Sequence, residues 1–575
     1  MAFLCRNKSS CAVNNRVNYF KEFYEKYMEV IMQLSKIVAS EIEKVLKDKE
    51  IEGVEIFVER PKEEKFGDYS TNVAMKLAKQ MKKPPMAIAG ELKEAFGSSK
   101  IFEKVEIAGA GFINFYFSKE FLYSVLKNIV TEKENFGKSS IGNHEKVMIE
   151  YVSANPTGYL HVGHGRGAVV GDVLAKVLKF AGYDVFKEYY VNDAGSQIDK
   201  LAMSVYLRYR ELLGDKVDFI EDGYNGEYIY LIAGEIKEKY GDSLNKEYEI
   251  VKSEFVEYSL QWSLKEIEAD LEKFGIEFDN WFSEKSLYDN KKVFSTIEKL
   301  EKTGFIYEQD GAKWFRTTQF GDDKDRVAVR ADGTTTYYAS DIAYHDDKIA
   351  RGYKKLIDVW GADHHGYIKR VESAIEALGH GKDVLDVILV QIVNLFKDGQ
   401  PFVMSKRAGT FITLRDLIDE VGKDAARIFF IMRSSDSQFD FDLEEAKKQS
   451  SDNPAYYIQY AHARICSIIE KIGIKLDKIE GFELNLLSEP EELRIIKKLA
   501  EFEELIELIA RNNEVHRLIK YGQELASLLH SFYNKHRVIN EDKDMETARV
   551  QLLYAVKIVL NNLLTLVSVK APERM

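Results

Sequence analysis

The chain has 575 residues, 45% of them hydrophobic and 30% charged, a balance that excludes a disordered or fibrous protein and predicts a globular one of several domains. Lys plus Arg number 81 against 94 Asp plus Glu, and the resulting net charge of −13 excludes a protein that coats nucleic acid non-specifically; a nucleic-acid partner would have to meet local basic patches. Three cysteines, Cys5, Cys11 and Cys466, exclude a disulfide framework and fit no zinc-ligand spacing, so no metal site is expected.

Along the chain, Met1–Val13 is too short and interrupted for a signal peptide, and no apolar run reaches the ~18 residues that cross a bilayer, so a cytoplasmic protein is expected. Residues 1–27 read as an extension, with Met28 as an alternative first residue. Met28, Ile31, Leu34, Ile37, Val38, Ile42 and Val45 then repeat at helical spacing. Alternating segments at Val54–Val58 and Phe112–Phe117 predict strands around a helix over Tyr69–Met81 and a break at Pro84-Pro85. Residues 28–130 are thus expected to form a small α+β domain.

From Val147 the pattern becomes buried strands alternating with helices, the signature of βαβ units and a parallel sheet. Strands are expected at Val147–Val152, Val185–Val191, Leu356–Trp360 and Val384–Val393, with helices at Ala168–Phe180 and Tyr367–Leu378. Asp310-Gly311 and Asp332-Gly333 signal hairpins. Residues 200–300 read as an acidic helical insertion into a domain spanning 140–440. Residues 441–575 read as a helix bundle, with helices at Tyr456–Lys471, Glu491–Ile509, Val515–Asn534 and Thr547–Val567.

The most informative stretch is Glu150-Tyr-Val-Ser-Ala-Asn-Pro-Thr-Gly-Tyr-Leu-His-Val-Gly-His-Gly-Arg-Gly167, which joins a strand to a helix. His161 and His164 sit at the helix start beside Gly163, where unpaired backbone N–H groups and the helix dipole attract anions, phosphate above all. Imidazole can donate to phosphoryl oxygens, and Gly163 lets a flat base lie against the backbone. A Gly-rich turn without a ligand would look the same. A second element, Gly399-Gln-Pro-Phe-Val-Met-Ser-Lys-Arg-Ala-Gly409, presents Lys406 and Arg407 on a Gly-flanked loop able to clamp phosphates, although alone it reads as an ordinary basic turn.

Together the two elements resemble the HxGH and KMSKS signatures of class I aminoacyl-tRNA synthetases. Here they read His161-Val-Gly-His164 and Val403-Met-Ser-Lys-Arg407, with Val403 in place of the first lysine, Arg407 in place of the final serine and Lys406 retained. Some relatives that lack the loop lysine carry one just before HxGH; Pro156–Leu160 contains none, consistent with Lys406 being the working lysine. Glu150-x-x-Ser153-x-Asn155-Pro before HxGH and Tyr337-x-x-x-Asp341-Ile-Ala downstream resemble arginyl-tRNA synthetases specifically. Asp424-Ala-Ala-Arg427 is similar to that family's DALR signature, and the ending Val567–Met575, the segment Pro61–Ala78 and Gly109–Asn114 are also similar to it.

The resemblance implies an α/β fold: a Rossmann-like parallel-sheet catalytic domain, a small N-terminal α+β domain contacting the tRNA elbow, and a C-terminal all-helical anticodon-binding bundle. It implies activation of L-arginine by ATP, accompanied by Mg2+, and transfer to the 3′ end of tRNA(Arg), with bound tRNA typically needed before the adenylate forms. By matching positions, His161, Gly163, His164, Met404, Ser405 and Lys406 would meet ATP. Glu150, Ser153, Asn155, His161, Tyr337 and Asp341 would hold arginine; a guanidinium's five donors call for acidic partners. Asp363 and His365 would contact ribose or amino acid. Phe112 and Asn114 of the N-terminal domain, and Tyr456, Tyr457, Tyr460, His462, Arg464, Tyr533 and Arg537 of the bundle, would meet tRNA by stacking and charge. A monomer without a proofreading domain is expected.

Three alternatives fit parts of the chain. A small-molecule nucleotidylyltransferase would not need the terminal bundle. A tRNA-binding paralogue without activity would not need His161, His164 and Lys406. Among other class I synthetases, one for cysteine would need metal-binding thiolates, and one for an acidic amino acid a basic pocket.

Overall fold

The computed structural model describes residues 34–397, 399–402, 412–473 and 483–575. The expected N-terminal extension 1–27, Met28 and Ile31, and the loop residues Val403, Met404, Ser405, Lys406 and Arg407 lie outside them.

The N-terminal region is an antiparallel sheet of β1 (Val58–Glu59), β2 (Tyr69–Thr71), β3 (Phe102–Ala108) and β4 (Phe112–Phe117), ordered β1-β2-β4-β3. Helices Leu34–Asp48, Val73–Met81 and Pro85–Phe96 accompany it. Phe96, Phe102, Phe115 and Phe117 form an edge-to-face and stacked cluster in its core. Two expectations are corrected here. Val54–Phe57 is irregular and only Val58 enters a strand; Tyr69–Thr71 is a strand, its three residues buried between neighbours, with the helix starting at Val73. Pro85 does not merely break a helix but begins one, as its fixed φ and missing N–H allow at the first position.

The central layer is a five-stranded, wholly parallel sheet of β5 (Lys146–Glu150), β6 (Asp184–Val191), β7 (Asn280–Ser283), β11 (Lys355–Gly361) and β12 (Leu385–Val390), ordered β12-β11-β5-β6-β7. Chain order reverses about β5, so the carboxyl ends of β5 and β11 border the crevice where open α/β sheets bind ligands. The helix Val162–Phe180 crosses from β5 to β6, and Ile368–Ala377 from β11 to β12. Gly171 brings that first helix onto the sheet: a Cβ there would lie 2.3 Å from the Tyr151 ring.

Between β6 and β7 the helices Ser196–Leu212, Glu227–Tyr240 and Tyr248–Lys273 build a separate small core around Leu201, Val205, Ile229, Ile232 and Phe255. The expected insertion is therefore helical, but β7 inside the same stretch belongs to the main sheet. A small antiparallel sheet, β8 (Ile306–Gln309), β9 (Ala312–Phe315) and β10 (Arg326–Val329), follows. Asp310-Gly311 closes the β8–β9 hairpin. Asp332-Gly333 makes only a turn, whose far side is a single bridge from Val329 to Thr335, because the chain then enters the helix Tyr337–Ala350. A further three-stranded sheet joins β13 (Val393–Lys397) to β14 (Gln400–Phe402) and to β15 (Phe439–Asp442).

The C-terminal region consists of helices Pro454–Ile472, Pro490–Ala500, Phe502–Asn512, His516–Lys535 and Lys543–Leu566. The helix expected over Glu491–Ile509 is two helices meeting at Glu501. Lys543–Leu566 is the central helix: Leu552, Leu553, Val556, Val559, Leu560 and Leu563 are fully buried, and it is apolar on most of its circumference, as a surrounded helix must be. Its core is continuous with those of the central parallel sheet and the N-terminal region. Among the described residues no helix is long and apolar enough to cross a membrane.

Candidate active site

At the end of β5 the backbone leaves the sheet abruptly. Val152 and Ser153 adopt φ of 69° and 39°, a left-handed region that a β-branched valine enters only under constraint, at a cost of about 1–3 kcal/mol each. The constraint is visible. Ser153 Oγ donates to Glu150 Oε1 at 2.9 Å and accepts from the Tyr190 amide at 3.1 Å. Tyr189 Oη donates to the Ala154 carbonyl at 2.9 Å, Asn192 Nδ2 to Asn155 Oδ1 at 2.8 Å, and Tyr228 Oη, from the insertion, to the Thr157 carbonyl at 2.9 Å. Neighbouring elements thus hold the loop on both sides.

The loop ends at His161, the N-cap of the helix Val162–Phe180. The His161 amide donates to His164 Nδ1 at 3.2 Å, which leaves Nε2 of a neutral His164 ring as the donor. The two rings stack with centroids 3.6 Å apart. A Cβ on Gly163 would lie 2.8 Å from the His161 ring, so glycine lets that imidazole fold over the helix start. Arg166, in the same signature, is fully buried and donates to the carbonyls of Gln391, Phe430, Ser434 and Ser437. Burial lowers its pKa to about 10. It is a staple for the helix rather than a ligand contact.

Lys406 lies outside the described residues, but the chain that returns from its loop does not. The Val162 amide donates to the Ile412 carbonyl at 3.4 Å and the Leu414 amide to the Leu160 carbonyl at 2.8 Å, with His161 and Thr413 paired as an antiparallel bridge. Thr413 and Asp416 then cap the next helix, Leu414–Val421, reciprocally. The segment that follows the second signature, Ile412–Leu414, is joined to the first by backbone hydrogen bonds.

Behind the loop lies a cluster of acidic side chains. Asp341, on the helix Tyr337–Ala350, accepts a hydrogen bond from Tyr367 Oη. Its pKa is pushed up to about 6, chiefly by burial; Tyr367 and His345 oppose the shift, while Glu284 and Glu150 add to it. Glu284, directly after β7, is 3% exposed, and its Oε2 has no hydrogen-bond partner among the described residues. Burial raises its pKa as well, partly offset by the Ser340 and Tyr190 hydroxyls, with Asp193 adding to the rise. A buried carboxylate with an open oxygen is costly unless a cation completes it. Glu284 was not legible as a site residue, since nothing in an acid-rich stretch marks it; the β7 register brings it here.

Glu150, expected to face the guanidinium, has both oxygens engaged within the protein: Lys348 Nζ donates to Oε2 at 2.6 Å and Ser153 takes Oε1. Lys348 is fully buried and also donates to Asp358 Oδ1 at 2.9 Å. Asp358 Oδ2 meets His345 Nε2 at 2.9 Å. Tyr337 is 58% exposed at the mouth, and a Cβ on Gly195 would lie 3.8 Å from its hydroxyl. Asp363 and His365 are exposed in the turn Ala362–Tyr367 that caps β11, the turn whose Tyr367 reaches Asp341.

The expected tRNA contacts divide by exposure. Arg537 is exposed; Tyr457 and Tyr460 are half-buried against His530, and the Arg464 guanidinium lies 4.5 Å above the Tyr533 ring. Tyr456 stacks on Tyr460. His462 is corrected: it is buried, and its Nδ1 is bound to the Pro572 carbonyl at 2.8 Å, so it anchors the C-terminal tail and cannot stack on a base. Asn114 is 3% exposed and accepts from Ser70 Oγ across the sheet, while Phe112 is half-buried. Arg427, of the DALR-like signature, is fully buried, donating to the carbonyls of Val567 at 2.7 Å and Phe274 at 2.9 Å and to Asp172.

Three family descriptions match the sequence: the arginyl-tRNA synthetase N-terminal domain over residues 32–117, the class I (R) tRNA synthetase catalytic domain over 125–436, and the DALR anticodon binding domain over 458–575. The chain is 52% identical over 526 residues to the arginine–tRNA ligase of Citrifermentans bemidjiense, covering 90% of this chain and 95% of that one. It is 49% identical to that of Bacillus subtilis, covering 90% and 94%. Its fold matches the arginyl-tRNA synthetase of Thermus thermophilus with a TM-score of 0.75, over 94% of this chain and 100% of that one, at 22% identity. By these domains, in this order and at this similarity, the chain belongs to the arginyl-tRNA synthetase family of class I.

Proposed function

We propose that the chain is an arginine–tRNA ligase in which Asp341 and Glu284 receive the guanidinium of L-arginine, while the strained β5 turn and the histidine-bearing helix start align its carboxylate with ATP. The observation that carries this reading is the pair Asp341 and Glu284: two carboxylates disfavoured by burial, one with an open oxygen. Tyr337 closes over the guanidinium from the mouth. Ser153 and Asn155 orient the amino acid's polar head.

The arginine carboxylate oxygen attacks the α-phosphorus of ATP, which enters as its Mg2+ complex, and the bond to pyrophosphate breaks. No covalent protein nucleophile is needed, because the substrate supplies its own; the protein contributes alignment and charge stabilisation. His164, through Nε2–H, and the His161 ring meet the α-phosphoryl oxygens at the helix start. Lys406, with Met404 and Ser405, follows the departing pyrophosphate. Asp363 and His365 hold ribose or the amino acid. The 2′-hydroxyl of the tRNA's terminal ribose then attacks the acyl carbon, and AMP leaves. Residues 441–575 read the anticodon of tRNA(Arg), with Tyr457, Tyr460, Arg464 and Arg537 as contacts, and residues 28–130 touch the elbow, with Phe112 at that surface.

The test is incorporation of each labelled amino acid into tRNA. Arginine alone should be charged, and Asp341→Asn should raise KM for arginine far more than KM for ATP. Charging of another amino acid, or an equal loss for both substrates, would overturn the reading.

A further inference from the structure

Helix Tyr337–Ala350 places Asp341, His345 and Lys348 on one face, at spacings of four and three residues, and lays that face across the carboxyl-end halves of β5 and β11. Asp341 is assigned above to the substrate. Lys348 is a fully buried cation in a pocket meant for a cation, an arrangement that needs a reason. Its ammonium bridges Glu150 on β5 and Asp358 on the adjacent β11, which face each other in register. The other titratable groups near it are His345, bound to Asp358, and Glu188, in register with Glu150 on β6, which Arg351, Asn280 and Tyr344 already satisfy.

The consequence is a division of the carboxylates. Glu150 and Asp358 are completed from within, so Asp341 and Glu284 are left for one incoming cation. The bridge also fixes geometry. With Oε2 held by Lys348, Glu150 turns Oε1 to Ser153 Oγ, and Ser153 is the residue that sustains the strained turn leading to Asn155. The connection runs Lys348, Glu150, Ser153, and ends where the amino acid's head is to be aligned.

We propose that Lys348 is a positioning residue for arginine, acting through Glu150 and Ser153 rather than by touching substrate. The inference rests on the arginine pocket proposed above.

Two variants separate positioning from mere charge or packing. Lys348→Met with Asp358→Asn removes one positive and one negative charge, so the bridge keeps its net charge of about −1 while Glu150 Oε2 loses its partner. Asp358→Asn alone keeps the Lys348–Glu150 contact and is a near-isosteric change. Full-length protein is assayed for tRNA charging as a function of arginine and of ATP, with thermal unfolding as the measure of fold and Asp341→Asn run alongside. The double variant should raise KM for arginine about 10-fold or more, the order expected when a hydrogen-bonded buried charge loses its partner, with KM for ATP within about twofold. Asp358→Asn alone should stay within about twofold for both.

A folded double variant with unchanged KM for arginine overturns the inference while leaving the pocket intact, provided Asp341→Asn shows its own selective loss. Should the double variant fail to fold, Asp358→Asn still decides: if that single change weakens arginine by about 10-fold or more, the effect lies in the charge of the pair, not in the hold on Glu150. If Asp341→Asn also leaves KM for arginine unchanged, the pocket reading fails and this inference with it.

Discussion

Tyr367→Phe offers a direct probe of the acidic cluster. Asp341 titrates at about 6 in the ligand-free protein, chiefly through burial, and the Tyr367 hydroxyl is the largest influence holding that value down. Arginine is a cation at every accessible pH, and its guanidinium gains from Asp341 only when the carboxyl is ionised. The kcat/KM for arginine should therefore be flat above about pH 7 and fall about tenfold per unit well below pH 6, since that ratio reports the free enzyme. A hydrogen bond to a charged group contributes about 1.5–3 kcal/mol. At 1.36 kcal/mol per pKa unit, and with water replacing part of the loss, its removal should raise the acid limb by about one unit. The variant would then retain about a third of wild-type kcat/KM at pH 6.5 and nearly all of it at pH 8.5. Glu284→Gln removes a negative neighbour and should displace the limb the opposite way, toward lower pH, although it weakens arginine at all pH values. The assay is initial-rate tRNA charging at limiting arginine and saturating ATP across pH 5.5–9. Superposed profiles for wild type and Tyr367→Phe, or a shift of the variant toward acid, would refute the assignment of the limb to Asp341.

Lys406→Ala should lower kcat for adenylate formation by about 10² or more with little change in KM for arginine, as for a donor engaged in the transition state; unchanged turnover in pyrophosphate exchange would exclude that role. Arg427→Met removes three hydrogen bonds and leaves two buried carbonyls unpaired, while Asp172 keeps Lys176 at 2.6 Å. A loss of about 3–5 kcal/mol in unfolding free energy by urea titration is expected, and a loss under 1 kcal/mol would mean the site collapses around the gap. Gly171→Ala should gain up to about 1 kcal/mol in helix propensity yet destabilise by a net 1 kcal/mol or more, because its Cβ would meet the Tyr151 ring at 2.3 Å; a raised melting temperature would show that Tyr151 can move.

What was legible in the sequence depended on how far each signal reached along the chain. Phe112–Phe117 and Asp184–Val191 carry their own pattern and were readable, as was the join of strand to helix around His161. Tyr69, Val73 and Leu77 share a four-residue spacing, so the eye extends the helix back through a short strand that only its pairing with Phe115 and Asn114 reveals. Asn280–Ser283 does not alternate and lies in acidic helical surroundings, and its membership in the sheet is a property of β6, not of itself. The candidate site shows the same divide. The histidines, Ser153, Asn155 and Asp341 stand in contiguous motifs. Glu284 comes from a separate strand end, and Lys348 was findable only by asking which residues share the face of Asp341: the spacing Asp341, His345, Lys348 was the available signal. His462 misled because a histidine among tyrosines looks like a stacking surface, whereas its partner is a carbonyl 110 residues away.

The buried Arg427 has a practical meaning for dissection of the molecule. Its acceptors are drawn from the chain before it, at Asp172 and Phe274, and from the far end, at Val567, and Lys176 on the signature helix reaches Ser568 beside that end. A truncation near residue 440, the natural place to cut for a minimal adenylate-forming fragment, would strip the catalytic layer of its own interior and expose the apolar flank of the signature helix to water. Shortened versions of this enzyme should therefore keep the tail, and any trimming of the insertion should spare Tyr228, which holds the Thr157 carbonyl.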